Sequence, residues 1–174
     1  MNAHVTPPET LSPDPAAYLD ALRARVKTTI GTSDWVVIDQ TRIDRFAEAT
    51  GDFQFVHVDP VRAAAETPFG GTIAHGYLTL AMVGTFAAAA LPPHPAVRLM
   101  VNLGADKVRL LAPVRVDHAI RGVFTLAGVS VLPEGRAALR ITVAIECRPP
   151  GPSAADPVFA LTADLSIMLI LNEA

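Results

Sequence analysis

A single cysteine, Cys147, stands in the 174 residues, so the chain can form neither an internal disulfide nor a cysteine-built metal centre. It lies in the apolar run ITVAIEC with no histidine near in sequence, which reads as a packed side chain rather than a nucleophile. Runs of basic charge are also missing. Lysine and arginine number 14 against 17 acidic residues, net charge is -3, and the cations are scattered singly. Such a surface has no electrostatic footprint for nucleic acid or an anionic membrane, and neither partner is expected. The first residues lack the basic-then-apolar layout of a secretory signal, so the expected setting is reducing and cytoplasmic. There is no internal repeat.

Apolar residues are plentiful, at 51% of the sequence, enough for one domain with a sizeable core. The longest stretch without a formal charge is Phe69 to Leu91, FGGTIAHGYLTLAMVGTFAAAAL. Its spacing predicts a helix of about twenty residues and about 30 Å. A helix apolar on nearly every face is expected to be buried on nearly every face. His75, Tyr77, Thr79 and Thr85 inside it, and the lack of flanking lysine or arginine clusters, argue against a membrane span.

The rest of the chain is arranged around that helix. Residues 1 to 15, rich in proline, read as a tail. Tyr18, Leu19, Leu22 and Val26 share a face of a helix expected from Pro15 to Ile30, capped by Asp14 and stopped at Gly31. Residues 1–33 are thus expected as tail and outer helix, and 34–174 as a single domain. Trp35 to Ile38 reads as a strand. A helix from Thr41 ends at Gly51, and Asp59-Pro60 opens a short helix through Ala65. Strands are expected at Val97 to Leu103, Lys107 to Leu111, Ala119 to Val131, Arg136 to Cys147 and Val158 to Leu171, with a hairpin turn at Pro133-Glu134-Gly135. Leu139, Ile141, Val143 and Ile145 alternate onto one face. Helices first and strands after indicate an α+β domain with an antiparallel sheet.

Polar residues gather just before the long helix. Asp52 and His57 pair a carboxylate with an imidazole in a segment that also carries Phe53 and Phe55. This pairing suits general acid-base chemistry, and it suits equally a turn cap and a hydrogen-bonded core histidine. His75 adds a third polar group, as a packing residue or a site residue. A metal site from Asp52, His57 and His75 has no recognised ligand spacing, and no metal is expected. Backbone N–H groups in the first turn of a buried helix lack intrahelical partners and can polarise a carbonyl oxygen. Gly70, Gly71 and Gly76 are candidates for this, or simply ease packing.

The run ATGDFQFVHVDPVRAAAETPFGGTIAHGYLTL resembles the hydratase motif of the MaoC-like (R)-specific enoyl-CoA hydratase family, and its Gln54 form resembles the nodulation-protein-N-like branch. VNLGADKVRLLAPVRV is similar to a second family segment. The resemblance implies a hotdog fold, an antiparallel sheet wrapped around a central helix, assembled as a homodimer. It implies a lyase that adds water across a trans-2-enoyl thioester to give a 3-hydroxyacyl thioester, with the acyl group on coenzyme A or an acyl carrier protein. No cofactor is implied beyond coenzyme A as part of the substrate. Asp52 and His57 fall on the catalytic pair that holds and activates water, Gly76 falls on the backbone N–H that binds the thioester carbonyl, and Gln54 and His75 are expected at the substrate.

Two positions depart from the family pattern. Gln54-Phe55 replaces the usual Asn-Pro, lengthening the amide and removing the proline restraint. Gly84 stands where many members carry a serine that hydrogen-bonds in the site. Lys107, Arg109 and Arg115 are candidates for coenzyme A phosphates, against the plainer reading of a solvated strand face. Leu78, Met82 and Phe86 are candidates to line the acyl pocket. A hotdog acyl-CoA thioesterase and a non-catalytic acyl-thioester binding module are the alternatives.

Overall fold

A computed structural model describes residues 12–91, 93–151 and 156–172. The expected tail at residues 1–15 falls mostly outside them. Helix α1 spans Pro15–Ala24, with the Asp14 side chain accepting the Ala16 N–H and Pro15 in its first turn. It ends earlier than its apolar spacing predicts. Lys27 turns the chain with φ 70°, and the β-branched run that follows forms strand β1, Thr29–Thr32, instead of a further helical turn. Leu19, Leu22 and Ile30 all join the main core, so this outer segment is continuous with the domain.

The two-residue strand β2, Val36–Val37, leads into α2, Gln40–Thr50, whose N-cap Asp39 accepts the Arg42 N–H. Gly51 closes α2 at φ 75°, a conformation that glycine adopts without a Cβ penalty. One-turn α3, Phe55–Val58, follows, then α4, Pro60–Glu66, capped by Asp59. The central helix α5 runs from Gly76 to Ala90. It is shorter than expected because residues 69–75 form a loop, with Gly70 at φ 72°.

The strands β3 (Val97–Leu110), β4 (Ala119–Leu132), β5 (Arg136–Arg148) and β6 (Val158–Leu171) complete an antiparallel sheet ordered β1-β4-β5-β6-β3, with β2 also on β4. Two strands were expected between Val97 and Leu111, and one is found. The chain interrupts its pairing with β6 at Asn102/Gly104 and Asp106/Arg109, and Lys107 takes φ 49°. These are bulges, which bend a strand without ending it. At the hairpin, Glu134 and Gly135 both take positive φ. In β5 the expected face is buried, Leu139, Ile141, Val143 and Ile145 at 1% exposure or less.

The sheet curls around α5. Phe86 lies against β4 so closely that a Cβ at Gly122 would meet its Cβ at 3.0 Å. Burial of α5 is one-sided, contrary to the sequence expectation. Leu78, Thr79, Met82, Val83, Phe86 and Ala87 face the sheet, whereas Tyr77, Ala81, Gly84, Thr85 and Ala88 form an exposed flank. No described helix is long and apolar enough to cross a membrane. Cys147 is buried beside His118, and desolvation pushes its thiol up to about 11, which keeps it unreactive near neutrality.

Candidate active site

The segment carrying Asp52 and His57 is tied to the loop entering α5. Ile73 N–H donates to the Val56 carbonyl at 3.1 Å, and His57 Nδ1 meets the Ile73 carbonyl at 2.8 Å. A carbonyl can only accept, so Nδ1 carries the proton and Nε2 of the neutral ring keeps its lone pair. Gln40, on α2, donates to the His57 carbonyl at 2.8 Å and accepts the buried Thr72 hydroxyl at 2.6 Å. Neither Gln40 nor Thr72 stands out in sequence, because a single polar residue in a helix or loop gives no spacing signal.

His75 lies at the N-cap position of α5, 3% exposed, with Nε2 2.9 Å from the Asp52 carbonyl. Its ring stacks on His57, centroids 3.8 Å apart and planes inclined by 26°. Asp52, His57 and His75 therefore come together as expected, their candidate ligand atoms all within 4.8 Å. Asp52 is half-buried and accepts the Gln54 N–H on Oδ1 at 3.3 Å. Gln54 itself is exposed at the N-cap of α3, with no capping hydrogen bond from its side chain.

A cavity of about 260 Å³ adjoins His57 and is also lined by Gly76, Thr79, Leu110, Val114 and Ala160 among others, whereas Asp52, Gln54 and His75 lie outside its lining. Gly76 is the first residue of α5, where backbone N–H groups have no intrahelical partner. A Cβ at Gly76 would meet Leu110 Cδ1, so glycine here makes room for the Leu110 side chain against the start of α5. Gly70 and Gly71 do not line the cavity.

Other expected site positions lie elsewhere. Gly84 is two turns further along α5, in a separate small cavity with Met100 and Asn102. Leu78, Met82 and Phe86 pack into the core, and Thr79 presents itself to the cavity in their place. Lys107 is bound to Asp164 at 2.9 Å and lines a different cavity on the β5-β6 surface. Arg115 is exposed, and its backbone bridges to Ile73 beside the site.

Burial lowers the pKa of His57, and His75 adds to the effect, against the opposing influence of the Ile73 carbonyl and Asp52. The folded protein thus binds fewer protons than the unfolded chain between the folded value and about 6.5. Stability attached to neutral His57 is present above about 6.5 and lost as pH falls through the folded value. His118, also lowered chiefly by burial, acts in the same direction. Urea midpoints measured downward from pH 7 should fall, and fall less steeply in His57→Gln; identical slopes would refute the assignment.

The family model described as MaoC like domain matches residues 22–143. The chain belongs to the MaoC-like family. Within it, the chain is 45% identical over 104 residues to nodulation protein N of Rhizobium leguminosarum bv. viciae, a match covering 60% of this chain and 65% of that protein. It is 42% identical over 125 residues to 3-hydroxyacyl-thioester dehydratase Z of Mycobacterium tuberculosis, covering 72% and 82% of the two chains. Among solved structures, the MaoC-like dehydratase of Rhodospirillum rubrum superposes with TM-score 0.66 at 17% identity, over 83% of this chain and 92% of that one. The (R)-hydratase PhaJ1 of Pseudomonas aeruginosa gives 0.60 at 24% identity, over 83% of each. These likenesses establish the hotdog fold for this MaoC-like chain, an α+β domain of sheet around helix.

Proposed function

We propose that this protein is an (R)-specific enoyl-CoA hydratase/dehydratase, a hydro-lyase acting on trans-2-enoyl thioesters. The observation that carries the reading is the cavity itself. It is lined both by His57, whose Nε2 keeps its lone pair, and by Gly76, the first residue of the central helix, with the Asp52 carboxylate close to His57. Hydration needs these parts. Gly76 N–H binds the thioester oxygen and stabilises the enolate-like charge that develops as water attacks C3. Asp52 takes one proton of that water as its oxygen bonds to C3, His57 Nε2 accepts a hydrogen bond from the remaining O–H and orients it, and the proton held by Asp52 is delivered to C2 to give the 3-hydroxyacyl thioester. Polarisation and proton transfer suffice, so the reaction uses no metal or redox group and coenzyme A enters only with the substrate. Gln54 and His75 border the same chamber's acid-base pair, and Arg115 is the cation best placed for a phosphate of coenzyme A or a carrier-protein arm.

The test is crotonyl-CoA. Enoyl ultraviolet absorbance should fall with no release of free thiol. Thiol release would support the thioesterase alternative, and binding without turnover the binding-module alternative.

The active form is proposed as a cytoplasmic homodimer. The exposed α5 flank at Tyr77, Ala81, Gly84, Thr85 and Ala88 and the free edge of β3, with Leu99, Leu103 and Leu110 more than half exposed, are surfaces a second copy would cover. Sedimentation should give twice the 18.4 kDa chain mass. Ala81→Glu should shift it to the monomer, whereas a monomeric parent at micromolar concentration refutes the assembly.

A further inference from the structure

One buried polar atom is left over by the hydrogen bonding around the site. His75 Nδ1 has no partner among the described residues. The other nitrogen, Nε2, must donate to the Asp52 carbonyl, because that oxygen can only accept. In the neutral ring Nδ1 is therefore a lone-pair acceptor held out of solvent, and a buried acceptor without a donor is costly unless something supplies one. The same ring is packed between Phe46, centroid 5.0 Å away, and His57 at 3.8 Å. It directly precedes Gly76, the proposed oxyanion donor.

We propose that His75 is the positioning residue of the site, locking the Asp52 backbone and the His57 ring to the start of α5. The assignment rests on the hydratase reading for its kinetic consequence, though not for its geometry. Through one imidazole, the acid-base half of the site and the carbonyl-binding half become a single rigid unit. Nε2 fixes the Asp52 carbonyl, the ring face sets the plane of His57, and the peptide after His75 aims the Gly76 N–H. The ionisable groups that bear on His57 are His75 and Asp52. Gln40 from α2 and Ile73 from the entry loop touch it through uncharged hydrogen bonds alone.

His75→Phe keeps an aromatic face for His57 and removes both nitrogens. His75→Gln restores an amide donor near the place of Nε2 and removes the stack. For His75→Phe, kcat with crotonyl-CoA should fall about 10–100-fold, the range seen when a residue that orients a reacting group is lost, with KM changed far less. The His57 ring, followed by NMR in histidine-labelled protein, should titrate at higher pH because the neighbouring histidine no longer opposes its charge. His75→Gln should recover part of the lost kcat. Parental kcat with an unmoved His57 titration overturns the proposal. So does a lower kcat with an unmoved titration, which would make the residue merely structural. If His75→Phe does not fold, the same readings are taken on His75→Gln, where parental values for both likewise overturn it. The NMR arm needs no substrate, so a parent protein without hydratase activity removes the functional reading while the His57 titration still decides the role of His75.

Discussion

Asp52→Asn is expected to lower kcat for crotonyl-CoA hydration by about 10²-fold or more, the scale of removing a general acid-base group. The substitution isolates chemistry from structure. Asparagine has the shape of aspartate, keeps an Oδ1 to accept the Gln54 N–H and leaves the backbone carbonyl that His75 holds untouched. The half-buried Asp52 forms no ion pair among the described residues, so its charge carries little of the fold. Melting temperature should therefore stay close to the parent while turnover collapses. His57→Ala should be equally inactive but less clean, because it strips the Ile73 carbonyl of its donor, an unmet hydrogen bond worth about 1–3 kcal/mol when buried. Measured side by side in the absorbance assay with a thiol-release control, the two variants separate the readings. If Asp52→Asn keeps more than a tenth of parental activity, the base that activates water is some other group.

Much of this was legible in the sequence, and the legible parts share a cause. The alternation through Leu139, Ile141, Val143 and Ile145, the Asp14 and Asp59 caps and the Gly51 stop are signals confined to a few neighbouring residues. The gathering of Asp52, His57 and His75 was legible because all three fall within one short stretch feeding one helix. Three errors came from distance. Helical spacing in Tyr18 to Val26 ran on to Ile30 on paper, yet pairing with β4 captured the β-branched residues from Thr29 onward. Leu78, Met82 and Phe86 share the apolar stripe of α5, but only the sheet's curl decides that the stripe is core and that Thr79 meets the cavity. The prospect of burial on every face assumed that one chain supplies every neighbour. The exposed flank at Ala81 and Gly84 shows instead that the sheet of this chain covers only one side of the helix. Gln40 shows the limit most plainly, since its value lies in reaching the His57 carbonyl and the Thr72 hydroxyl at once.

Phe86→Ala is expected to be the most damaging single core change on α5, costing about 3–5 kcal/mol, the range for truncating a buried phenylalanine. Phe86 is 1% exposed and packs against β4 where Gly122 leaves room for it. Neither neighbour can close the gap cheaply, since β4 is paired with β5 from Ala119 to Leu132 with a single shift at Leu126/Gly128, and α5 is anchored at its start by the loop bound to α3. Total stability of a domain this size is about 5–15 kcal/mol, so the loss removes a large share of it. At roughly 2–4 °C per kcal/mol, thermal unfolding followed by circular dichroism should drop by roughly 6–20 °C. Val61→Ala on α4, at a position 82% exposed, should move the midpoint hardly at all. The consequence reaches the site because Gly76 rides on the same helix. A Phe86→Ala protein that is still folded at 20 °C should show a raised KM as the N–H proposed to bind the thioester carbonyl loses its fixed place beside the cavity. An unchanged melting midpoint would mean that α5 is not held to the sheet by this side chain.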